Sequence, residues 1–288
     1  MSDSEWAIAN GYISKSRCTA FDFCPYQYKK SYIDGQHITS YAMTIGSRLH
    51  HWFEIFYDHC DKVTIDEWDI FITSDYSTYE RVMLERFIAD EKIRFQRLDY
   101  NYVEFIPRAR ELKVVNHNLK IRGIIDRITD DRTVLEDYRA FLVDAIETGS
   151  CSGPRQVDSY FKTIQDIVSG KLNKIVCIEE YKTSATVYEK SLKFEFGFYK
   201  LLLKELPEYK DAFMVGRVIN PRVNTRKFIP IQQEVYVTRK IAALRKAIED
   251  NNFPKECRDD RFIYCGRCSI DECGLYDNCH DTRFNIDD

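Results

Sequence analysis

The sequence predicts an α/β protein in which a mixed central sheet is flanked by helices, with a helical N-terminal part and a cysteine-rich C-terminus. Two observations carry this expectation. β-like apolar runs are confined to ELKVV and LKIRGIIDRI between 111 and 128, IVCIEEY at 175–181, and two runs between 211 and 237. The remaining stretches instead space their apolar residues at helical intervals. The expected organisation is a mainly helical part over 14–100, core segments over 105–130 and 174–250, a helical insertion over 131–173 and a cysteine-rich segment over 251–288. No repeat or low-complexity linker separates these parts, which favours one interwoven domain over 1–288.

In chain order, SKSRCTAFDFCPYQYKKSY at 14–32 reads as one or two short helices, with Cys24-Pro25 between them and Pro25 opening the second. GSRLHHWFEIFYD at 46–58 is a strongly apolar helix on which His50, Phe53 and Glu54 share a face. After a polar loop at 61–77, a helix over 79–98 has Val82, Leu84, Phe87, Ile88 and Phe95 as its core positions. ELKVV and LKIRGIIDRI around the Asn-rich NHN form a hairpin signal. Gly123 there permits close backbone approach, and Asp126 interrupts an apolar run where a bare carboxylate is costly unless paired or metal-bound.

The insertion holds TVLEDYRAF, whose Asp137-Tyr138-Arg139 superficially copies an acid-x-base pattern. Tyr138, Phe141, Leu142, Ala145 and Ile146 instead give it helical spacing behind a capping Asp137, and arginine does not release its proton at neutral pH. VDSYFKTIQDIVSG is a second helix closed by Gly170. Beyond the strand at 175–185 lies a helix over 188–205 with Glu195 and Tyr199 four apart. DAFMVGRVIN and FIPIQQEVYV read as two strands joined by the basic turn PRVNTRK, and 237–250 as a helix.

Composition narrows the classes of function. With 288 residues, 44% hydrophobic and 31% charged, the chain has ordinary soluble character. It has no run of about eighteen apolar residues, and MSDSEWAIANGYIS lacks the basic-then-apolar order of a secretory signal, so a cytoplasmic location without membrane contact is expected. A net charge of −4 means that any nucleic-acid contact is a local groove and not a global field. Ten cysteines in a reducing compartment point to a metal or cluster site over disulfides. Cys265, Cys268, Cys273 and Cys279 crowd into YCGRCSIDECGLYDNC.

The chemistry centres on Glu180-Tyr181-Lys182, where an acid and a lysine two apart on a strand share one face and can reach one phosphate and its metal ion. Glu180, not Glu179, shares that face with Lys182. Alone, the tripeptide reads more readily as a solvated strand end. The order His50, then GIIDRI with Asp126, then EEYKTS with Glu180 and Lys182, then a helix with Glu195 and Tyr199, resembles the RecB-like branch of the PD-(D/E)XK nucleases. Cys24 in CPYQYKKSYI and the terminal cysteines resemble the split cysteine set of its iron–sulfur members, which include the RecB-like nuclease of CRISPR adaptation and the AddB-type helicase-nuclease subunit.

The resemblance implies a restriction-endonuclease-like core and a metal-dependent DNA exonuclease, acting on single strands or duplex ends in recombination, repair or CRISPR-type spacer processing beside the proteins of those pathways. Mg2+ or Mn2+ would be held by His50, Asp126 and Glu180. Lys182 would orient or deprotonate the water, or stabilise developing charge. Tyr199 would contact DNA or the site, and Glu111 would support it. Cys24, Cys265, Cys268 and Cys273, with Cys279 as alternate, would hold a [4Fe-4S] cluster or a structural Zn2+. Two departures stand out: Glu195 replaces the family's usual glutamine, and the last three cysteines are spaced C-x2-C-x4-C where relatives commonly have C-x2-C-x5-C. The alternative reading is a DNA-binding or adaptor protein that keeps the fold without turnover.

Overall fold

A computed structural model describes residues 11–36 and 41–253. Among them, six strands form one mixed sheet: β1 (Ile13–Ser14), β2 (Ala109–Asn116), β3 (Ile121–Thr129), β4 (Val176–Tyr181), β5 (Met214–Asn220) and β6 (Thr225–Ile229). The helices are α1 (Lys15–Phe23), α2 (Pro25–Tyr28), α3 (Tyr41–Phe56), α4 (Thr78–Arg97), α5 (Tyr102–Phe105), α6 (Arg132–Glu147), α7 (Pro154–Val168), α8 (Glu189–Leu203) and α9 (Glu234–Glu249). This is the expected α/β architecture, and no helix among the described residues is long and apolar enough to cross a membrane.

The hairpin β2–β3 is tied at its turn by the Asn116 side chain, whose Oδ1 accepts from the Leu119 N–H at 2.6 Å. β3 pairs antiparallel with β2 and β4, β4 runs parallel to β5 with α8 between them in sequence, and β6 closes antiparallel on β5. β2 covers one edge of β3 from Ile121 to Ile128, so the other edge is shared. β1 takes its start, at Ile121 and Arg122, and β4 takes its end, at Arg127 to Thr129. Between them the β3 edge is left open, and the candidate site lies at that opening.

One apolar core packs α8, α9 and α1 against the sheet. A second, rich in aromatic rings, joins α3 to α4 and reaches the sheet through Tyr181 and Ile219. A third seats α6 on β4–β6, with Tyr138 and Phe141 ring centroids 5.2 and 5.6 Å from that of Phe228.

Four local expectations are corrected. Val82 is 39% exposed on α4, and its neighbour Met83 fills the core instead. The cap of α6 is Asp131, whose side chain accepts from the Thr133 N–H, while Asp137 sits inside the helix paired with Arg97 and Arg217. FIPIQQEVYV is not one strand: β6 begins at Thr225 within the supposed turn and ends at Ile229, and helix α9 starts at Glu234. Pro230 follows the last strand residue and cannot donate to a ladder. The polar loop at 61–77 contains a 3-10 turn, Ile65–Phe71, that buries Trp68.

Candidate metal and phosphodiester site

The site begins with a distortion of the sheet. Arg110 pairs with Arg127 and Leu112 with Ile125, but the intervening, directly opposed Glu111 and Asp126 are missing from the ladder. Ala109 and Leu112 pack on the same core although three residues apart, as do Ile125 and Ile128. In regular strands such pairs face opposite sides. Both strands therefore slip by one at a single pair, with Glu111 at φ +43°. On the other edge, β3 and β4 pair up to Arg127 and Glu179 and then part. The Tyr181 N–H, at this parting, donates to Asp126 Oδ2 at 2.8 Å.

Helix α3 delivers His50 to the same place, its Nδ1 3.5 Å from Asp126 Oδ2. One ligand atom each from His50, Glu111 and Asp126 lies within 4.8 Å of the others. Burial, followed by the charge of Asp126, pushes the Glu111 carboxyl up to about 7. Burial opposes the charged form of His50, but its contact with Asp126 outweighs this and raises the imidazole above its usual range. The site groups four carboxyl groups, Glu111, Asp126, Glu180 and Glu195, with two ammonium groups, Lys15 and Lys182, so that acids outnumber lysines by two. Carboxylate oxygens with one imidazole and this surplus suit a hard divalent cation such as Mg2+ or Mn2+.

Glu180, expected as a metal ligand, sits beside this trio with both oxygens engaged. Its Oε1 accepts from Lys15 at 2.9 Å and Lys182 at 2.7 Å, and its Oε2 from the Tyr199 hydroxyl at 2.9 Å. Burial resists its ionisation, but the two lysines hold it well below the usual carboxylate range. Glu195 supplies the second acid of this group, 3.0 Å from Lys182 Nζ and 3.5 Å from Lys15 Nζ. Tyr199 is buried beneath Glu180, and Gly123 allows α8 to come this close: a Cβ at 123 would lie 2.7 Å from Leu202 Cδ1 and 3.6 Å from Tyr199 Cε1. A cleft of about 300 Å³ adjoins Lys182 and Glu195, lined with the hydroxyl-bearing Ser184, Thr186, Tyr188 and Ser191.

The neighbouring glutamates of β4 have different partners. Glu179 points away from this group and binds Arg127 and Arg217, with Arg217 Nη2 at 2.5 Å. Asp137-Tyr138-Arg139 is helical and contributes nothing here. Cys24 is buried between α1 and α2, where its Sγ accepts from the Gln27 N–H at 3.4 Å. Cys265, Cys268, Cys273 and Cys279 lie outside the described residues.

Lys15 is the residue that the motifs did not reveal. It stands 165 positions from Glu180 in a polar helix opening, and nothing in its local pattern separates it from a surface lysine. A signal for Glu111 was present in its position on the strand before Asp126, but only the three-dimensional pairing brings it next to the aspartate.

A distorted mixed sheet here presents clustered carboxyl groups beside two half-buried lysines, a donor set that could hold a divalent cation next to a phosphodiester. The family model of the PD-(D/E)XK nuclease superfamily matches residues 12–145, just under half of the chain, and this region carries Lys15, His50, Glu111 and Asp126. Glu180, Lys182, Glu195 and Tyr199 lie beyond the matched region. No curated protein matches the chain.

Proposed function

We propose that the protein is a metal-dependent deoxyribonuclease that hydrolyses phosphodiester bonds, acting as an exonuclease on single-stranded DNA or duplex ends. The observation that carries this is the convergence of His50, Glu111 and Asp126 next to the Lys182–Glu180 pair, at the point where β3 and β4 separate. His50, Glu111 and Asp126 would hold a Mg2+ or Mn2+ ion, which supplies charge neutralisation and a more acidic water when bound. Lys182 is 24% exposed along its side chain and faces the hydroxyl-lined cleft, where it can donate to a phosphoryl oxygen or to the attacking water. Glu180 and Glu195 keep it charged: burial opposes the ammonium form, and the two acids more than restore it. Tyr199 steadies Glu180 from below.

The alternative, a DNA-binding or adaptor protein without turnover, would be favoured by an unpaired acid at position 195, which repels phosphate. Glu195 is paired with two lysines, which favours the enzyme. The deciding experiment is digestion of end-labelled single-stranded DNA with Mn2+ or Mg2+. Asp126→Ala and Lys182→Ala are expected to lower the rate by about 100-fold or more while the circular dichroism spectrum is unchanged. Full activity in either would remove the assignment. The iron–sulfur reading of Cys24 with Cys265, Cys268 and Cys273 or Cys279 rests on the sequence order and on the buried position of Cys24. Anaerobically purified protein should then absorb broadly in the visible, and a colourless zinc-loaded protein would instead identify a structural zinc.

A further inference from the structure

Lys15 is held by Glu180 and Glu195 against two unfavourable placements of its charge. As the first residue of α1, it puts a positive charge at the positive end of a helix dipole. Its ammonium group also shares Glu180 Oε1 and Glu195 Oε2 with Lys182, so two like charges lie side by side in a largely buried setting. The repulsion is tolerated because two carboxylates stand opposite. One of these is Glu195, which reaches both ammonium groups, at 3.5 Å from Lys15 and 3.0 Å from Lys182. The two lysines and the two acids therefore form a matched set. Neither lysine is sealed off, since 20% of the Lys15 side chain remains open beside the 24% of Lys182.

We infer that Lys15 is a second phosphate-binding catalytic residue, donating to a non-bridging oxygen of the DNA backbone alongside Lys182, and that Glu195 is the positioning counter-ion retained for it. Lys15 takes no part in bond exchange and supplies fixed positive charge from the N-terminal helix. The inference rests on the nuclease reading of the same site.

The test compares wild type, Lys15→Gln, Lys15→Arg and the double variant Lys15→Met with Glu195→Gln. Three readouts are used: turnover of single-stranded DNA, thermal melting, and the salt dependence of binding to a phosphorothioate-protected single-stranded oligonucleotide in EDTA. A lost phosphate contact lowers the slope of log K against log salt by about 0.7 for a single strand. The expected result is a slope reduced by about that amount and turnover down roughly 10-fold or more in Lys15→Gln and the double variant, with most of both recovered in Lys15→Arg. The double variant removes one charge of each sign, so it should melt at or above the wild-type temperature.

Wild-type turnover and slope in the double variant would overturn the inference, and so would collapse of its fold, because either would make the pair a structural ion bridge. If wild type binds the oligonucleotide but cleaves no DNA, the nuclease reading fails while the slope comparison still decides whether Lys15 meets phosphate. If it neither cleaves nor binds, both fall.

Discussion

Glu111 lies opposite Asp126 across two strands, and burial followed by the charge of Asp126 makes its ionisation costly. The consequence is a pH dependence of opposite sign to that of an ordinary salt-bridged acid. The Glu111 carboxyl moves from 4.5 up to about 7 on folding, so between those values the folded chain holds more protons than the unfolded one. The melting temperature of the cation-free protein should therefore fall as pH rises through that window, and Glu111→Gln should flatten the fall. An unchanged slope in the variant would show that Glu111 does not titrate there. Asp126 was legible in the sequence because an acid inside IIDRI has no apolar explanation. Lys15 was not, because its partners are distant in the chain and a lysine near a helix start is ordinary.

Elements set the spacing that these residues need. Helix α8 carries Glu195 and Tyr199 under the sheet, and it approaches through glycines on two strands, Gly123 on β3 and Gly216 on β5. A Cβ at Gly216 would run into the Phe196 ring. Gly216→Ala should therefore destabilise the protein by about 1–3 kcal/mol in urea unfolding, since a packed core resists added volume. Unchanged stability would mean that the Phe196 ring moves aside without loss. The helices and the β2–β3 hairpin followed from periodicity and turn residues. The strand at 225–229 did not, because apolar residues continue past it through Ile231 to Val237 and blur the boundary that Pro230 marks. β1 escaped as well: two residues form no pattern, and their strand identity exists only through pairing with Ile121 and Arg122.

Across the whole molecule, the face of the sheet opposite Lys182 is joined by charge as well as by apolar packing. Arg127 and Arg217 clasp Glu179, Arg127 also meets Glu91, and Arg94 bridges Glu91 to Asp131 at the cap of α6. These groups are nearly or fully buried, and they connect α4, the sheet and the inserted helix. Burial alone would protonate Glu179, but the two arginines hold it well below its usual range. Replacing it by Gln leaves two buried guanidinium groups short of a counter-charge, and the expected loss is about 3–5 kcal/mol in denaturant unfolding, with little dependence on salt. A loss near zero would show that water or a shifted side chain takes over. No local motif announces such a network, since each charge alone reads as a solvated face.

The shared edge of β3 also orders events in time. β4 arrives there from within the sheet, but β1 comes from the start of the chain, and the Lys15–Glu180 contact spans 165 positions. Contacts closed over such long loops form late in folding. Trp52 and Trp68, by contrast, report on an aromatic core built mostly from residues between Leu49 and Phe105. After dilution from denaturant, the fluorescence of Trp52 and Trp68, read in a Trp6→Phe background, should recover before the proposed nuclease activity does. The interval between the two would measure how long the chain exists as a folded body whose strand β1 has yet to close the candidate site.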